Sequence, residues 1–270
     1  MKKSLILLAI PALLLGGCNK EISQEEAKKS AKAIAEHEFK IGDIESAKIE
    51  STYNSSRVGK YNGKDINESE ASRMVLGINQ KENFLYSFNG NSEEYVESWI
   101  YVRDNTFVTA THTKDKNGES KTKGEITTGA VAAFKRYIAS DLSSLASSLS
   151  STSYLAGLLG EGEQEAEEGL TTTMKYYSSG DGNLTIEGTS TATNYQSYLG
   201  KQTGTATAKI VYDNYLFAEF YNKSDMKVVS DDGAYDYKAV NEQSYKASIG
   251  FGVSYPDLTG YTGISIDLGF

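Results

Sequence analysis

Hydrophobic positions along the chain change period in a way that lays out its elements. After Ser23, Ala27, Ala31, Ile34 and Ala35 recur at helical spacing, with Phe39 near the end of the run. Ser23 followed three residues later by Glu26 is a capping box, so a helix is expected to start there. His37 falls in this helix between two glutamates and reads as a surface residue. From Ile44 the period becomes two, with Ile49, Ser51 and Tyr53 on one side of a strand. Ser55 to Glu70 reads as a polar loop. The segments 74–78 and 84–88 follow as strands, and 94–103 and 106–113 read as a hairpin about Asp104-Asn105. Lys114 to Lys123 reads as a charged loop with Asn117-Gly118 at its tip.

Val131, Phe134, Ile138, Leu142, Leu145 and Leu149 form one apolar stripe, which predicts a long central helix capped by Thr127 or Thr128. The run continues through Tyr154, Leu155, Leu158 and Leu159 into glycines and glutamates from Gly160 to Gly169. That stretch lacks the spaced ligands and fixed turn of a calcium loop and reads as a solvated loop. Beyond Leu170 the pattern is strand to the end: 171–178, 183–188, 203–213, 215–221, 226–230, 234–240, 243–252 and, more weakly, 263–268. Helix, strands, long helix, strands is an α+β order. It predicts a curved antiparallel β-sheet, a half-barrel-like meander, with the N-terminal helix and the long central helix packed on it. No proline-rich linker divides the chain, so 23–270 is expected to form a single domain.

Several strands are apolar on both faces. Val96, Ile100 and Val102 oppose Tyr95, Trp99 and Tyr101, and Tyr215, Phe217 and Tyr221 oppose Leu216, Ala218 and Phe220. Such strands need cover on each side, from helix, loop or ligand. A curved antiparallel sheet around an apolar helix is similar to the LolA-like lipid-carrier fold of envelope lipoproteins, which implies a lipid-like ligand in the cup between sheet and helix. Phe84, Tyr86, Trp99 and Tyr101 on strands and Phe134 and Ile138 on the helix are the candidate lining residues. The competing expectation is that the helix fills the cup. The two differ in whether a hollow of several hundred cubic ångströms separates helix from sheet.

The N-terminus changes where such a domain would act. Lys2-Lys3, an apolar run from Leu5 to Leu15 and the small residues Gly16-Gly17 describe a secretory signal ending at Cys18, the only cysteine. Leu15-Gly16-Gly17-Cys18 resembles the lipobox of bacterial prolipoproteins, with glycine where alanine, serine or threonine is usual before the last small residue. The resemblance implies removal of residues 1–17 as signal peptide, diacylglycerol on the Cys18 thiol, and a new amino terminus open to further acylation. Residues 18–22 are then a short lipidated tether, and two or more acyl chains hold where one would not. The expected location is the cell envelope, on the extracytoplasmic face of the membrane. The alternatives are a plain secretory signal with a chance cysteine and an uncleaved membrane anchor.

Composition narrows the chemistry. The net charge of −9 becomes −11 once Lys2 and Lys3 leave with the signal, which argues against nucleic acid as a partner and for a domain held off an anionic membrane. One cysteine and two histidines exclude disulfide frameworks and cysteine-rich metal sites and leave little room for a catalytic triad. No G-x-S-x-G, H-E-x-x-H, P-loop or G-x-G-x-x-G occurs, so no catalytic residue, metal ligand or cofactor is assigned and the chain reads as a non-enzyme. The expectation is an anchored envelope lipoprotein that binds an apolar or amphipathic ligand. Its alternative is an anchored structural or adhesive protein acting through protein contacts. A sugar binder, suggested by nineteen tyrosines, is the third and weakest class.

Overall fold

A computed structural model describes residues 19–40, 42, 45–159 and 167–266. Cys18, the signal segment and the glutamate run 160–166 lie outside the described residues. In chain order the elements are β1 (Lys20–Ile22), α1 (Gln24–Glu36), β2 (Ser46–Tyr61), β3 (Lys64–Asn79), β4 (Phe84–Gly90), β5 (Tyr95–Arg103), β6 (Thr106–Asp115) and β7 (Gly118–Ile126). Then come α2 (Ala130–Tyr137), α3 (Ala139–Leu149), a 3₁₀ turn (Ser153–Leu155) and α4 (Ala156–Leu159). The rest is strand: β8 (Leu170–Ser178), β9 (Leu184–Ser197), β10 (Gly200–Asp213), β11 (Leu216–Val229), β12 (Asp236–Ile249) and β13 (Thr262–Gly263).

All the strands join one open, mostly antiparallel sheet in the order β1-β8-β9-β10-β11-β12-β2-β3-β4-β5-β6-β7-β13. Two meanders, β2–β7 and β8–β12, meet where β12 pairs β2 along its whole length. The pairing of β13 with β7 is parallel. The chain is therefore α+β, as its element order implies.

The helices lie over one face and one end of this sheet. Phe134, Ile138, Leu145 and Leu149 pack on Ile49, Ile78, Leu85, Ile100 and Phe107. Ala27, Ala31 and Ile34 of α1 and Leu155 and Leu158 pack on Leu184, Ile186, Tyr212 and Phe217. The capping box forms as expected: Glu26 N–H donates to Ser23 Oγ at 3.3 Å and Ser23 N–H to a Glu26 carboxylate oxygen at 2.8 Å. Those hydrogen bonds hold the Glu26 carboxyl below its ordinary pKa. The opposite face is covered by the irregular C-terminal segment, in which Phe251, Val253 and Leu258 pack on Phe84, Tyr101 and Val108. Neighbouring residues on a strand point to opposite faces, so Leu85 and Phe84 serve different clusters, as do Ile100 and Tyr101.

Several expectations change. The apolar stripe from Val131 to Leu149 does not make one helix: it breaks at Ile138 (φ −84°, ψ 0°), which ends α2 before α3 begins. Gly129, not Thr127 or Thr128, occupies the N-cap of α2, and no side chain caps it. The polar loop read at 55–70 is the upper half of β2 and β3, continuous 16-residue strands joined at Asn62-Gly63. The charged loop at 114–123 is likewise the β6–β7 hairpin. Pairs of short strands merge into single 14-residue strands in β11 and β12. Lys20–Ile22, expected as tether, pairs with Tyr176–Ser178 at the sheet edge.

Candidate functional site

The helix cover leaves two places on the same sheet face where a ligand could be met. The first is the seam between the two clusters beneath the helices. Tyr245 on β12 packs against both clusters, with Leu142 and Leu216 on one side and Phe217 and Phe220 on the other. Phe217 stacks on Tyr245 at 4.7 Å between centroids, and Tyr154 stacks on Phe217 and Phe220, each at 4.9 Å.

Simple alternation puts Phe217 and Phe220 on opposite faces, yet both join this patch. A β-bulge explains it: Val211 pairs Glu219 and Tyr212 pairs Phe217, leaving Ala218 as the extra residue and resetting the alternation. Tyr154, on the 3₁₀ turn, is 39% exposed. Its segment is pinned by Tyr212, whose hydroxyl donates to the Ser151 carbonyl at 2.9 Å.

The Tyr245 hydroxyl lies beneath this patch and has no hydrogen-bond partner among the described residues. Burial pushes its pKa up, as it does for Tyr212. Leaving a buried hydroxyl unpaired costs about 1–3 kcal/mol. Such an atom is where a polar group of a ligand, or a water, gains most.

The second place is the bare upper half of the face. Above the helices, away from Asn19, the residues facing the same way are Asn222, Ser224, Asn241 and Gln243, then Tyr53, Ser55 and Arg57 on β2. Between β2 and β3 a cavity of about 320 Å³ is lined by Tyr53, Ser55, Arg57, Glu68, Ser69 and Glu70. Sequence reading missed this region because neither face of these strands is apolar enough to show a period. Only their unbroken length to the Asn-Gly turn could have revealed them.

The six candidate ligand residues do not converge. Phe134 and Ile138 are buried between helix and sheet, whereas Phe84, Tyr86, Trp99 and Tyr101 lie on the opposite face under the C-terminal segment. There Tyr86 hydroxyl donates to Glu97 at 2.8 Å, and burial, with this bond second, raises its pKa. The space beneath α2 and α3 is filled: Phe107, Phe134, Leu145 and Leu149 are at most 1% exposed. Two further cavities, of about 330 and 580 Å³, also lie away from it, one beside Asn19, Thr185 and Val211, the other between β7 and Thr259–Thr262. His112 contacts Tyr95 and Glu119, and His37, just past α1, stacks on Tyr215 at 4.1 Å. No group of acidic, histidine or cysteine side chains suited to a metal ion occurs among the described residues, nor does any helix long and apolar enough to cross a membrane.

No family model matches the sequence, and no curated protein matches it. Among solved structures, the crystal structure of the ywiB protein from Bacillus subtilis aligns over 77% of this chain and 94% of its own, at 9% identity and a TM-score of 0.16. A TM-score that low assigns neither fold nor function.

Proposed function

We propose that this chain is an extracytoplasmic lipoprotein, anchored through Cys18, whose domain receives an amphipathic ligand with an apolar chain at the seam around Tyr245. The observation that carries the ligand is the unpartnered Tyr245 hydroxyl among Tyr154, Phe217 and Phe220. The apolar chain of such a ligand would displace Tyr154 from its stack, and the ester or amide carbonyl that joins chain to head group would accept from the Tyr245 hydroxyl. The polar strands above would then meet the head group. This reading moves the ligand from beneath the central helix, where side chains leave no hollow, to the junction between the two helix clusters.

The test is native mass spectrometry of the mature chain carrying Cys18→Ala after incubation with vesicles of mixed bacterial lipid. Adducts of lipid mass that weaken in Tyr154→Ala are the expected result. Absence of any adduct favours the second reading, an anchored domain that acts through surface contacts alone. The filled helix–sheet interface is the observation on that side.

A further inference from the structure

We infer that the cavity between the upper halves of β2 and β3 is a binding cleft for the hydroxyl groups of a sugar. The cleft lies among the polar strands above Tyr245, and its residues stand with or without an apolar chain bound there. Register fixes its walls: Arg57 lies opposite Glu68, Ser55 opposite Glu70 and Tyr53 opposite Ser72, with no bulge between. Alternation from buried Ile49 through Ser51 places Tyr53, Ser55 and Arg57 on the helix-bearing face, above the end of the helix cover.

Arg57 lies over two aromatic rings. Its guanidinium carbon is 4.8 Å from the Tyr61 ring centroid and 5.5 Å from that of Tyr237. A cation–π contact uses the charge and not a hydrogen bond, so the N–H donors stay open to other partners. Glu68 approaches at 3.9 Å, an ion-pair distance too long for a hydrogen bond. Glu70 has no ion pair or side-chain hydrogen bond among the described residues. The cleft thus offers fixed donors, two carboxylate acceptors, a serine hydroxyl and a tyrosine ring.

That mixture selects a class of ligand. Two carboxylates repel phosphate and other anions, and the guanidinium 3.9 Å from Glu68 repels metal ions and other cations. A sugar hydroxyl satisfies both sides, donating to Glu68 or Glu70 and accepting from Arg57, while the ring of Tyr53 covers an apolar sugar face. The volume, about 320 Å³, is at the small end of ligand sites and fits a single ring or a disaccharide. The sugar could be part of a free glycan or the head group of a glycolipid.

The two sources separate in one experiment. The full chain, in phosphatidylcholine nanodiscs, is labelled with a carbodiimide and the modification of Glu68 and Glu70 is read by peptide mass spectrometry. One arm adds maltotriose or chitotriose; the other uses nanodiscs containing diglucosyl diacylglycerol. Protection of both carboxylates by soluble sugar identifies a glycan site, and protection only in the second arm a glycolipid site. Glu70→Gln, at an exposed and unpaired position, and Arg57→Ala are each expected to weaken protection of Glu68 about tenfold in apparent affinity. The thermal midpoint of Glu70→Gln serves as the folding control. No protection in either arm, protection unchanged in both variants, or protection by a lysine oligomer but by no sugar would overturn the inference.

Discussion

Tyr245 and Glu50 show how single groups on this sheet can be read in energetic terms. Removing the unpaired Tyr245 hydroxyl takes away a desolvation cost without opening a large void, so Tyr245→Phe should raise the stability of the ligand-free domain by about 1 kcal/mol in denaturant titration. If an amphipathic ligand bonds that hydroxyl, the same change weakens its binding. Glu50 works in the opposite sense. A hydrogen bond from Lys48, then one from Arg73, holds its carboxyl below the ordinary value of 4.5. Its contribution is therefore full above the ordinary carboxylate range and fades as pH falls through the lowered folded value. Glu50→Gln should destabilise the domain at neutral pH and converge on the parent as pH falls through the lowered folded value, as acid-titrated circular dichroism would show. At this scale the sequence was legible for Ser23 and Glu26, whose cap is local. It was not legible for Phe217 and Phe220, because one bulged residue, Ala218, turns the alternation over.

Elements were readable where burial gives them a period. Ala27, Ala31 and Ile34 mark α1 because one face packs on the sheet and the other meets water. The upper halves of β2 and β3 carry no such mark. No helix covers them, so polar residues occupy both faces and the segment looks like a loop until backbone pairing is seen. The broken central helix was hidden for the opposite reason: the stripe runs on through Ile138, which is buried on both sides of the break. The C-terminal segment depends on glycines rather than periodicity. A Cβ at Gly77 would come within 2.6 Å of the Phe251 ring, and one at Gly124 within 2.3 Å of Ile266. Gly77→Ala should therefore cost about 1–3 kcal/mol and expose residues 251–258 to limited proteolysis, with the helix-bearing face unaffected.

On the scale of the molecule, Asn19 and the candidate cleft lie at different levels of the sheet. Asn19 sits beside the β8–β9 and β10–β11 turns, in a cavity that also touches Lys246. Lys246 is the partner of Glu50 in the β12–β2 register, and the cleft at Tyr53 to Arg57 begins about 10 Å further up β2 at 3.3 Å per residue. The anchor itself rests on Leu15-Gly16-Gly17-Cys18 in the sequence. An alkyne-tagged palmitate fed to cells should label the parent chain, and the label should vanish in Cys18→Ala. Retention of label in the variant would move the attachment elsewhere. If Cys18 is the anchor proposed above, the domain also carries load. Any pull that reaches Asn19 enters β1, whose Lys20, Glu21 and Ile22 run antiparallel to Ser178, Tyr177 and Tyr176. Hydrogen bonds between such strands lie across their axis. Traction along β1 strains those bonds together instead of peeling them one by one, and passes the force into β8 and the continuous sheet behind it. Under the proposed anchor at Cys18, the short edge strand would serve as a mechanical coupling loaded in shear.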